Sequence, residues 1–517
     1  MIFAEKIGTN RYLLLSVLLV FTVAGMVVKM VLGEDPGFGF SVWESMQNGG
    51  AFNTLLIPSA SNIAQNQAIF LTWWSPGQYL VPGFLSATFN ITLGAASLWT
   101  TLLFSALGLW GWQKTYQQLG FDDALIGICL FLIATSRLFT INFLNYTGGE
   151  LLLFGGQPWT IWFYLKYQKK PIALFARLLV LSLTCFLLKT AHTIGLLALV
   201  GCAGLTFVEG WIVKKKFLNV AFWLALSTGL CAVFYLVIIQ FGFLQFGLNP
   251  ISSTNQPFKI LWPSFEILTY PITHWFSWSE LYVQLAGRLA LPPWASWVYY
   301  GVLLVGFVAM VSITRQTRYR QARWIFVGFF VVYHLIFLFL YNKAAEISIE
   351  YRHTKVVAYL FLPILVSALR QPQLWAKLAF IAILLLNTGY GLVSFVLKKA
   401  EIQRELASNS RSGFALRHAT NEDLTFIHGV DKPENILYFT SSSLNVEATR
   451  ARKIIGSIDF KFAKGCGFVS SRYEGKAGKI YAFMQQDADG PPLENIFPAY
   501  RFRLLKQTQK FKIFVGE

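Results

Sequence analysis

Charged residues are scarce in this chain: they make up 13% of its 517 residues, whereas 55% of the residues are hydrophobic. The mean hydropathy is +0.51. So few polar side chains cannot cover the surface of a soluble globule of this length, which excludes an ordinary water-soluble protein. The apolar residues come in runs of about 18 to 24, long enough to cross roughly 30 Å of hydrocarbon as helices. The composition therefore predicts a helical membrane protein and not a barrel.

Cysteine is also scarce, and its spacing excludes a disulfide framework or a zinc motif. Four of the five cysteines lie inside apolar runs, and Cys466 stands alone near the C-terminus. The sequence also lacks an internal repeat of fixed period, which weakens the case for a transporter built from repeated halves. The cysteines in apolar runs are Cys129, Cys185, Cys202 and Cys231.

The net charge of +18 is dispersed along the chain in short clusters between apolar runs. This distribution favours membrane topology over nucleic-acid binding, so no nucleic-acid partner is expected. Placing every cluster in the cytoplasm satisfies the positive-inside rule. The clusters are Lys166, Lys169 and Lys170; Lys214, Lys215 and Lys216; Arg315, Arg318, Arg320 and Arg323; and Arg370 with Lys377.

The apolar runs predict about eleven transmembrane helices. The first run, from Tyr12 to Leu32, has Lys6 and Arg11 in its basic flank but no small-residue cleavage site after it, so we interpret it as a retained helix with a cytoplasmic N-terminus. The predicted spans are 12–33, 94–113, 122–140, 148–166, 172–189, 192–211, 218–241, 296–314, 323–341, 355–370 and 374–396.

An odd number of crossings places residues 34–93, residues 242–295 and the chain after about residue 398 on the extracytoplasmic side. In the first of these loops, the apolar stretch from Ser75 to Phe89 is broken by prolines and suits a helix lying along the membrane surface. The second loop is rich in tryptophan, which favours the headgroup level. Its tryptophans are Trp262, Trp275, Trp278 and Trp294.

The composition changes after residue 397, which divides the chain into a transmembrane domain, residues 1–397, and a soluble domain, residues 398–517. The stretch from Lys398 to Arg417 is polar and predicts a helix. Short apolar runs then predict strands, so we expect a small α+β domain that acts as a lid or a partner-binding module. The predicted strands are Asn435 to Phe439, Lys453 to Phe462, Lys479 to Met484 and Phe511 to Val515.

Acidic residues stand at two places on the predicted outer face. Glu34 and Asp35 follow the first apolar run, and Glu150 opens the fourth. Carboxylates at a membrane boundary can act as a general base or bind a cation. Alternatively, the pair simply marks a helix terminus in the interface, and the helix dipole favours Glu150 whatever its function.

Aromatic and cationic residues supply three further candidate clusters. Tyr79, in the aromatic stretch Thr72 to Leu80, can stack on a sugar or anchor the loop in headgroups. Lys189 and His192 lie at a bend between two apolar runs, where a cation faces a cavity unless it snorkels to the surface.

The last cluster precedes the tenth predicted span and contains Glu346, Glu350, Tyr351, Arg352, His353 and Lys355. Arginine and lysine side chains together suit a phosphate, although such a cluster can also terminate helices and pair internally. All five clusters share the predicted outer face. We therefore expect an acidic group, cationic groups and an aromatic loop to meet in one cavity for an anionic, lipid-attached substrate.

The order of these features resembles the GT-C membrane glycosyltransferases, which include protein O-mannosyltransferases and lipid A aminoarabinose transferases. The resemblance covers about residues 10–395. It is carried by an acidic pair after the first helix, an interfacial proline-aromatic stretch, an acid before the fourth helix, an intramembrane lysine bend and an Arg-Tyr-rich start to a late helix. In this chain these are Glu34-Asp35, Ser75 to Tyr79, Glu150, Leu188-Lys189-Thr190 and Tyr351-Arg352-His353 followed by Leu362-Pro363.

The resemblance implies a polyprenyl-phosphate-linked sugar donor, a glycan, lipid or protein acceptor, and a place in a bacterial plasma (inner) membrane. In the implied inverting transfer, Asp35 takes the acceptor proton, while Arg352 and Lys189 stabilise the departing lipid phosphate. Either Glu34 or Glu150 orients the acceptor. A divalent cation is compatible with the acid density, but no ligand spacing requires one.

Two other classes of function fit the same residues. One is a transporter or flippase of a lipid-linked glycan, which would use the cavity without breaking a bond. The other is a non-catalytic subunit of an envelope-assembly complex, docked through its soluble domain. The first predicts that Asp35→Asn leaves sugar transfer unaffected, because none occurs. The second predicts that deleting residues 400–517 abolishes recovery of the complex while the membrane part stays folded.

Overall fold

The computed structural model describes residues 29–70, 75–188, 192–209, 219–230, 258–288, 291–292, 294–343, 349–370, 373–405, 409–455, 472–486 and 492–517, and eight positions between 16 and 27. Helices of ten residues or more dominate the described part up to residue 405, and one more follows it. They are α1 Glu34–Gln47, α2 Gly77–Phe89, α3 Leu93–Gln118, α4 Asp123–Thr135, α5 Gly149–Tyr167, α6 Pro171–Leu188, α7 His192–Glu209, α8 Asn219–Leu230, α9 Trp278–Arg288, α10 Trp294–Gln316, α11 Arg320–Asn342, α12 Lys355–Leu369, α13 Leu374–Glu405 and α14 Asn421–Val430.

Five helical segments of the described part are long and apolar enough to cross a membrane: Leu93–Gln118, Trp294–Gln316, Arg320–Asn342, Tyr351–Leu369 and Ala376–Arg404. A sixth arises if α4 and the short helical segment after it, which are bent by 58°, form one broken span. All six coincide with predicted spans, and the chain is a membrane protein. The predicted total of eleven stays a prediction.

The predicted first span, 12–33, ends differently from the expectation. Val31–Leu32 forms a short strand, β1, which pairs in parallel with Asn145–Tyr146, β4. The acidic pair that follows begins helix α1 instead of ending the first helix, with Gly33 as its N-cap residue. Carboxylates in the first turn of a helix are favoured by its dipole, which explains why this polar segment is helical.

The first outer segment is more ordered than the sequence suggested. After α1 it forms an antiparallel hairpin of β2, Thr54–Pro58, and β3, Asn66–Phe70. The expected helix over Ser75 to Phe89 is present as α2, which accommodates Pro82 in its interior. The predicted tryptophan-rich loop likewise contains short helical turns, Trp262–Thr269, Tyr270–Thr273 and His274–Phe276, before α9.

The C-terminal part forms a five-stranded sheet in the order β6-β5-β7-β9-β8. The predicted strands appear within a residue or two of their expected starts. The five strands of the sheet are β5 Ile436–Phe439, β6 Arg452–Ile455, β7 Ile480–Gln485, β8 Phe502–Gln507 and β9 Phe511–Gly516. Of the strand expected over Lys453 to Phe462, residues 456–462 lie outside the described part. Strand β8 had not been predicted.

The helix predicted from Lys398 to Arg417 is wrong over its second half. Helix α13 is described as far as Glu405, and residues 409–417 are non-helical. Gly413 has a φ of +82°, a conformation that breaks a helix and that side chains with a Cβ rarely adopt. The non-helical segment lies against the membrane part instead: the amide of Ala415 donates to Met30 and that of Gly94 donates to Ser412.

The core is continuous between the sheet and the helices. Alternate residues of β5 face opposite ways, as the pleat requires: Leu437 and Phe439 join the main core, while Ile436 and Tyr438 belong to a second cluster. Phe414 packs on Phe40 of α1 with ring centroids 5.5 Å apart. The segment that leads to the sheet is thus packed on α1, and Ile63 of the first outer segment joins the second cluster beside Ile436 and Tyr438 of β5.

Candidate functional site

The two predicted acidic positions are brought together by the parallel pairing of β1 with β4. Leu32 pairs with Tyr146, so the residues that follow each strand, including Asp35 and Glu150, leave the ladder on the same side. The hydroxyl of Tyr146 donates to the carbonyl oxygen of Gln78 at 2.5 Å, which ties α2 to the same corner. Asp35 is half-buried in the first turn of α1.

The turn from β4 into α5 requires the backbone at Gly148 to pass close to the side chain of Gln78. Gly148 has a φ of +75°, and a Cβ at this position would lie 2.7 Å from Oε1 of Gln78. Only glycine satisfies both the conformation and the space. The chain can therefore turn from β4 into α5 and place Glu150 in the first turn of that helix, where the dipole stabilises its charge.

Arg352 lies between the carboxylates. Its Nε is 2.7 Å from Oε2 of Glu350, and its Nη1 is 4.0 Å from Oε1 of Glu150. The negative charges of Glu150, Glu350 and Asp35 all act on its guanidinium group. The side chain of Arg352 is 30% exposed, so it can still reach a ligand. The structure thus brings three of the predicted site residues, Asp35, Glu150 and Arg352, into one electrostatic group.

His353 lies in aromatic packing. Its Nδ1 is 2.8 Å from the hydroxyl of Tyr341, and its ring stacks on Phe337 at 5.1 Å. Lys355, two residues further along, is buried and donates to the carbonyl oxygen of Leu138 at 3.3 Å. The predicted phosphate cluster is therefore split, with Arg352 facing the carboxylates and His353 held in the packing.

Tyr79 does not occupy a position for stacking on a sugar. Its side chain is completely buried, and its hydroxyl donates to Oδ1 of Asn53 at 2.6 Å. Its ring lies against Gly39 of α1. These contacts connect α2 with α1 and the turn before β2, a packing role that a sequence pattern of exposed aromatics does not reveal.

Glu34 is bound to the C-terminal sheet by the loop after β5, residues 440–443, which we call the serine loop. Ser441 Oγ donates to Glu34 Oε1 at 2.6 Å, and the amide and hydroxyl of Ser442 lie 2.7 and 2.6 Å from Oε2. The amide of Ser443 adds a longer bond of 3.3 Å. His418 Nε2 is 3.5 Å from Oε1. Burial lowers the pKa of His418, and the charge of Glu34 acts in the opposite direction.

Two further predicted residues fall at the edge of the described part. Lys189 lies outside the described residues, and His192 begins α7 but its side chain is not among those described. Among the described residues, no group of three or more His, Cys, Asp and Glu side chains is arranged to hold a metal ion.

Sequence reasoning missed Arg137 and its partner Glu280, which form an ion pair between the bend after α4 and helix α9. Arg137 also lies 5.7 Å from the ring centre of Tyr390. The available signal was its place inside a predicted span, because a charge within a membrane segment is costly unless it faces a partner or a cavity.

His274, on a neighbouring turn, is buried, and burial lowers its pKa to about 3, so it is neutral.

A cavity of about 390 Å³ lies elsewhere. It is lined by Asp122, Arg318, Tyr319 and Arg370 among others, and therefore belongs to the face that carries the basic clusters. Arg370 Nη1 is 2.9 Å from Oδ1 of Asp122 at its edge. None of the predicted site residues lines it.

No protein-family model matches this chain, and no curated protein matches it by sequence. Solved structures do match its fold. ArnT from Cupriavidus metallidurans bound to undecaprenyl phosphate gives a TM-score of 0.58 at 12% identity over 98% of this chain and 97% of that chain, and its apo state gives 0.55 at 13% over 99% and 98%. The apo oligosaccharyltransferase of Archaeoglobus fulgidus gives 0.51 at 12% identity over 92% of this chain and 69% of that chain. The predicted resemblance to the GT-C membrane glycosyltransferases is thus confirmed at the level of the fold, which this chain shares with these structures.

Proposed function

We propose that this protein is a glycosyltransferase that moves a sugar from a polyprenyl-phosphate donor to an acceptor hydroxyl on the extracytoplasmic side of a plasma (inner) membrane. The observation that supports the proposal is the group formed by Asp35, Glu150 and Arg352, in which carboxylates and a cation act on one another in a protein of this fold. The undecaprenyl phosphate bound to a structure of similar fold supports the lipid-phosphate donor. The proposal includes a cytoplasmic N-terminus and an extracytoplasmic C-terminal sheet.

In the proposed reaction, the acceptor oxygen attacks the anomeric carbon as Asp35 takes its proton. The bond between that carbon and the phosphate oxygen breaks, and the electron pair leaves with the lipid phosphate. Arg352 stabilises the negative charge that develops there, because a cation fixed in place is worth more where water is excluded. Glu150 holds the guanidinium group and is the better placed of the two glutamates to orient the acceptor, because Glu34 is bound to the serine loop.

The test is transfer of labelled sugar from a panel of polyprenyl-phosphate donors by the full chain in lipid, comparing wild type with Asp35→Asn. We expect the variant to fold and to lose transfer by about 10²- to 10⁴-fold, the usual contribution of a general base. Asp123→Asn is the matched control, since Asp123 also lies in the first turn of a helix but outside the site. Its transfer rate should equal that of wild type.

Retained turnover in Asp35→Asn would show that Asp35 is not the base, while the proposed glycosyltransferase activity would stand. Absence of turnover by a folded wild-type chain across the whole panel would refute the proposed function and favour the transporter or scaffold alternatives. A flippase would move the intact glycolipid between leaflets of a vesicle without releasing lipid phosphate. Measuring both products in one assay separates these outcomes.

A further inference from the structure

We infer that Glu34 is a positioning residue, which holds the first turn of α1 against the serine loop and so sets the direction of Asp35. The inference rests on the proposed function. Glu34 and Asp35 are consecutive in the first helical turn, so their side chains leave the helix about 100° apart. When one carboxylate is held by the C-terminal sheet, the other is aimed away from it, toward Arg352.

The serine loop is well suited to hold a carboxylate. It follows β5 and leads into the helical turn Ser442–Glu447, so its backbone amides are not used by a strand. Two of those amides and the hydroxyls of Ser441 and Ser442 converge on the two oxygens of Glu34. Hydrogen bonds to a charged acceptor are roughly twice as strong as neutral ones. The side chain of Glu34 still has 44% exposure, so a catalytic role must be separated from a positioning role by experiment.

The backbone packing supports the same conclusion independently of charge. A Cβ on Gly37 would lie 2.8 Å from the carbonyl oxygen of Ser442, so α1 and the serine loop are already in contact. Further along the same helix, Glu44 pairs with Lys453 of β6, and burial raises the pKa of Glu44 while Lys453 opposes that rise. The helix is thus attached to the sheet at both its beginning and its end, and only the first attachment adjoins Asp35.

The serine loop itself is held by the sheet. Ser441, Ser442 and Ser443 are each at most 2% exposed, and Thr440 donates to the carbonyl oxygen of Phe483 in β7 at 3.1 Å. Because its side chains are buried, the loop is a fixed reference point for Glu34. The C-terminal sheet therefore contributes to the geometry of the transfer site without supplying a reacting group.

The experiment compares Glu34→Gln, Ser442→Ala and Gly37→Ala in the full chain in lipid. Each should lower the single-turnover rate of sugar transfer by about 10- to 100-fold, the cost of a misplacement of about 1 Å. The KM for the donor should not change, and neither should the pH of the acidic inflection at which the base is protonated. The double variant of Glu34 and Ser442 should be no worse than the more affected single variant, since both remove one interaction.

Two controls match these changes. Glu44→Gln weakens the other attachment of the same helix and should leave the transfer rate at the wild-type value. Gly429→Ala adds the same methyl group as Gly37→Ala where nothing lies within 4 Å, and should also be silent. Rates as low as that of Asp35→Asn, with loss of the acidic limb of the pH profile, would make Glu34 a base and overturn the inference.

Amide hydrogen exchange gives a readout that does not depend on transfer. Glu34→Gln should raise the exchange rates of the Ser442 and Ser443 amides by at least tenfold relative to wild type, because both donate to the lost carboxylate. Unchanged exchange together with unchanged transfer would refute the positioning role. Faster exchange in a protein whose wild type transfers no sugar would instead refute the proposed function while leaving the attachment itself established.

Discussion

Replacing Arg352 by glutamine is the most direct test of how the site stabilises a leaving phosphate. The change removes a guanidinium group that lies 2.7 Å from Glu350 and 4.0 Å from Glu150, and on which the charge of Asp35 also acts. Removing one stabilising donor from a water-excluded site costs about 2.7 to 4 kcal/mol, or 10²- to 10³-fold in kcat. Since the Arg352 side chain is 30% exposed, solvent screening favours the lower end, a loss of about 100-fold.

Stability should change as well, because Glu150 loses its cationic neighbour. Its side chain is 9% exposed, so the cost lies between the roughly 1 kcal/mol of a surface pair and the 3 to 5 kcal/mol of a buried one. We expect Arg352→Gln to lower the free energy of unfolding by about 2 kcal/mol. Combining Arg352→Gln with Glu150→Gln should recover part of that stability without recovering transfer. This pattern separates the structural contribution of the pair from its contribution to the reaction.

The assay is single-turnover release of lipid phosphate by protein in lipid, with thermal unfolding measured in parallel. Arg352→Lys should fall between wild type and Arg352→Gln, since lysine keeps the charge but loses the planar fork. Arg370→Gln is the control: it breaks a 2.9 Å ion pair with Asp122 outside the site and should leave transfer unchanged. An unchanged single-turnover rate in Arg352→Gln, with only a raised KM, would show that Arg352 binds the donor without stabilising its transition state.

Three further predictions concern packing and pH. Tyr79→Phe should cost about 0.5 to 1.5 kcal/mol in thermal unfolding by removing the hydrogen bond from the Tyr79 hydroxyl to Oδ1 of Asn53, yet keep the KM for the sugar-lipid; a changed KM would place Tyr79 on the substrate. Burial of Asp431 opposes its ionisation, but hydrogen bonds from backbone N–H groups outweigh burial and lower its pKa below 3.8. The carboxylate therefore stabilises the fold above that pH, and this contribution is lost as the pH falls through the folded pKa. Asp431→Asn should remove this acid dependence, and an acid-unfolding curve unchanged by the substitution would contradict it. Gly391→Ala would force a methyl group onto the carbonyl oxygen of Thr135 at the bend after α4, so it should lower the unfolding temperature by several degrees, and an unaltered temperature would contradict the close approach.

Much of the candidate site was visible in the sequence because charge is rare in a membrane protein. Asp35, Glu150 and Arg352 stand out against long apolar runs, and a charged group near hydrocarbon needs a partner or water. The same reasoning applied to Arg137 would have found it, although not its partner Glu280, which lies far along the chain. The sequence could not separate Glu34 from Asp35, since consecutive acids look alike until something binds one of them.

The sequence by itself determined the class of the protein and the places of most elements. Hydrophobic run length and alternation depend only on neighbouring residues, so the span at Arg320–Asn342 and the strand at Ile436–Phe439 were predicted within a few residues. Only the tertiary structure decided what these elements do together. The two-residue pairing of Val31–Leu32 with Asn145–Tyr146, and the serine loop around Glu34, depend on close backbone approach between segments distant in the chain, and no local pattern encodes such contacts.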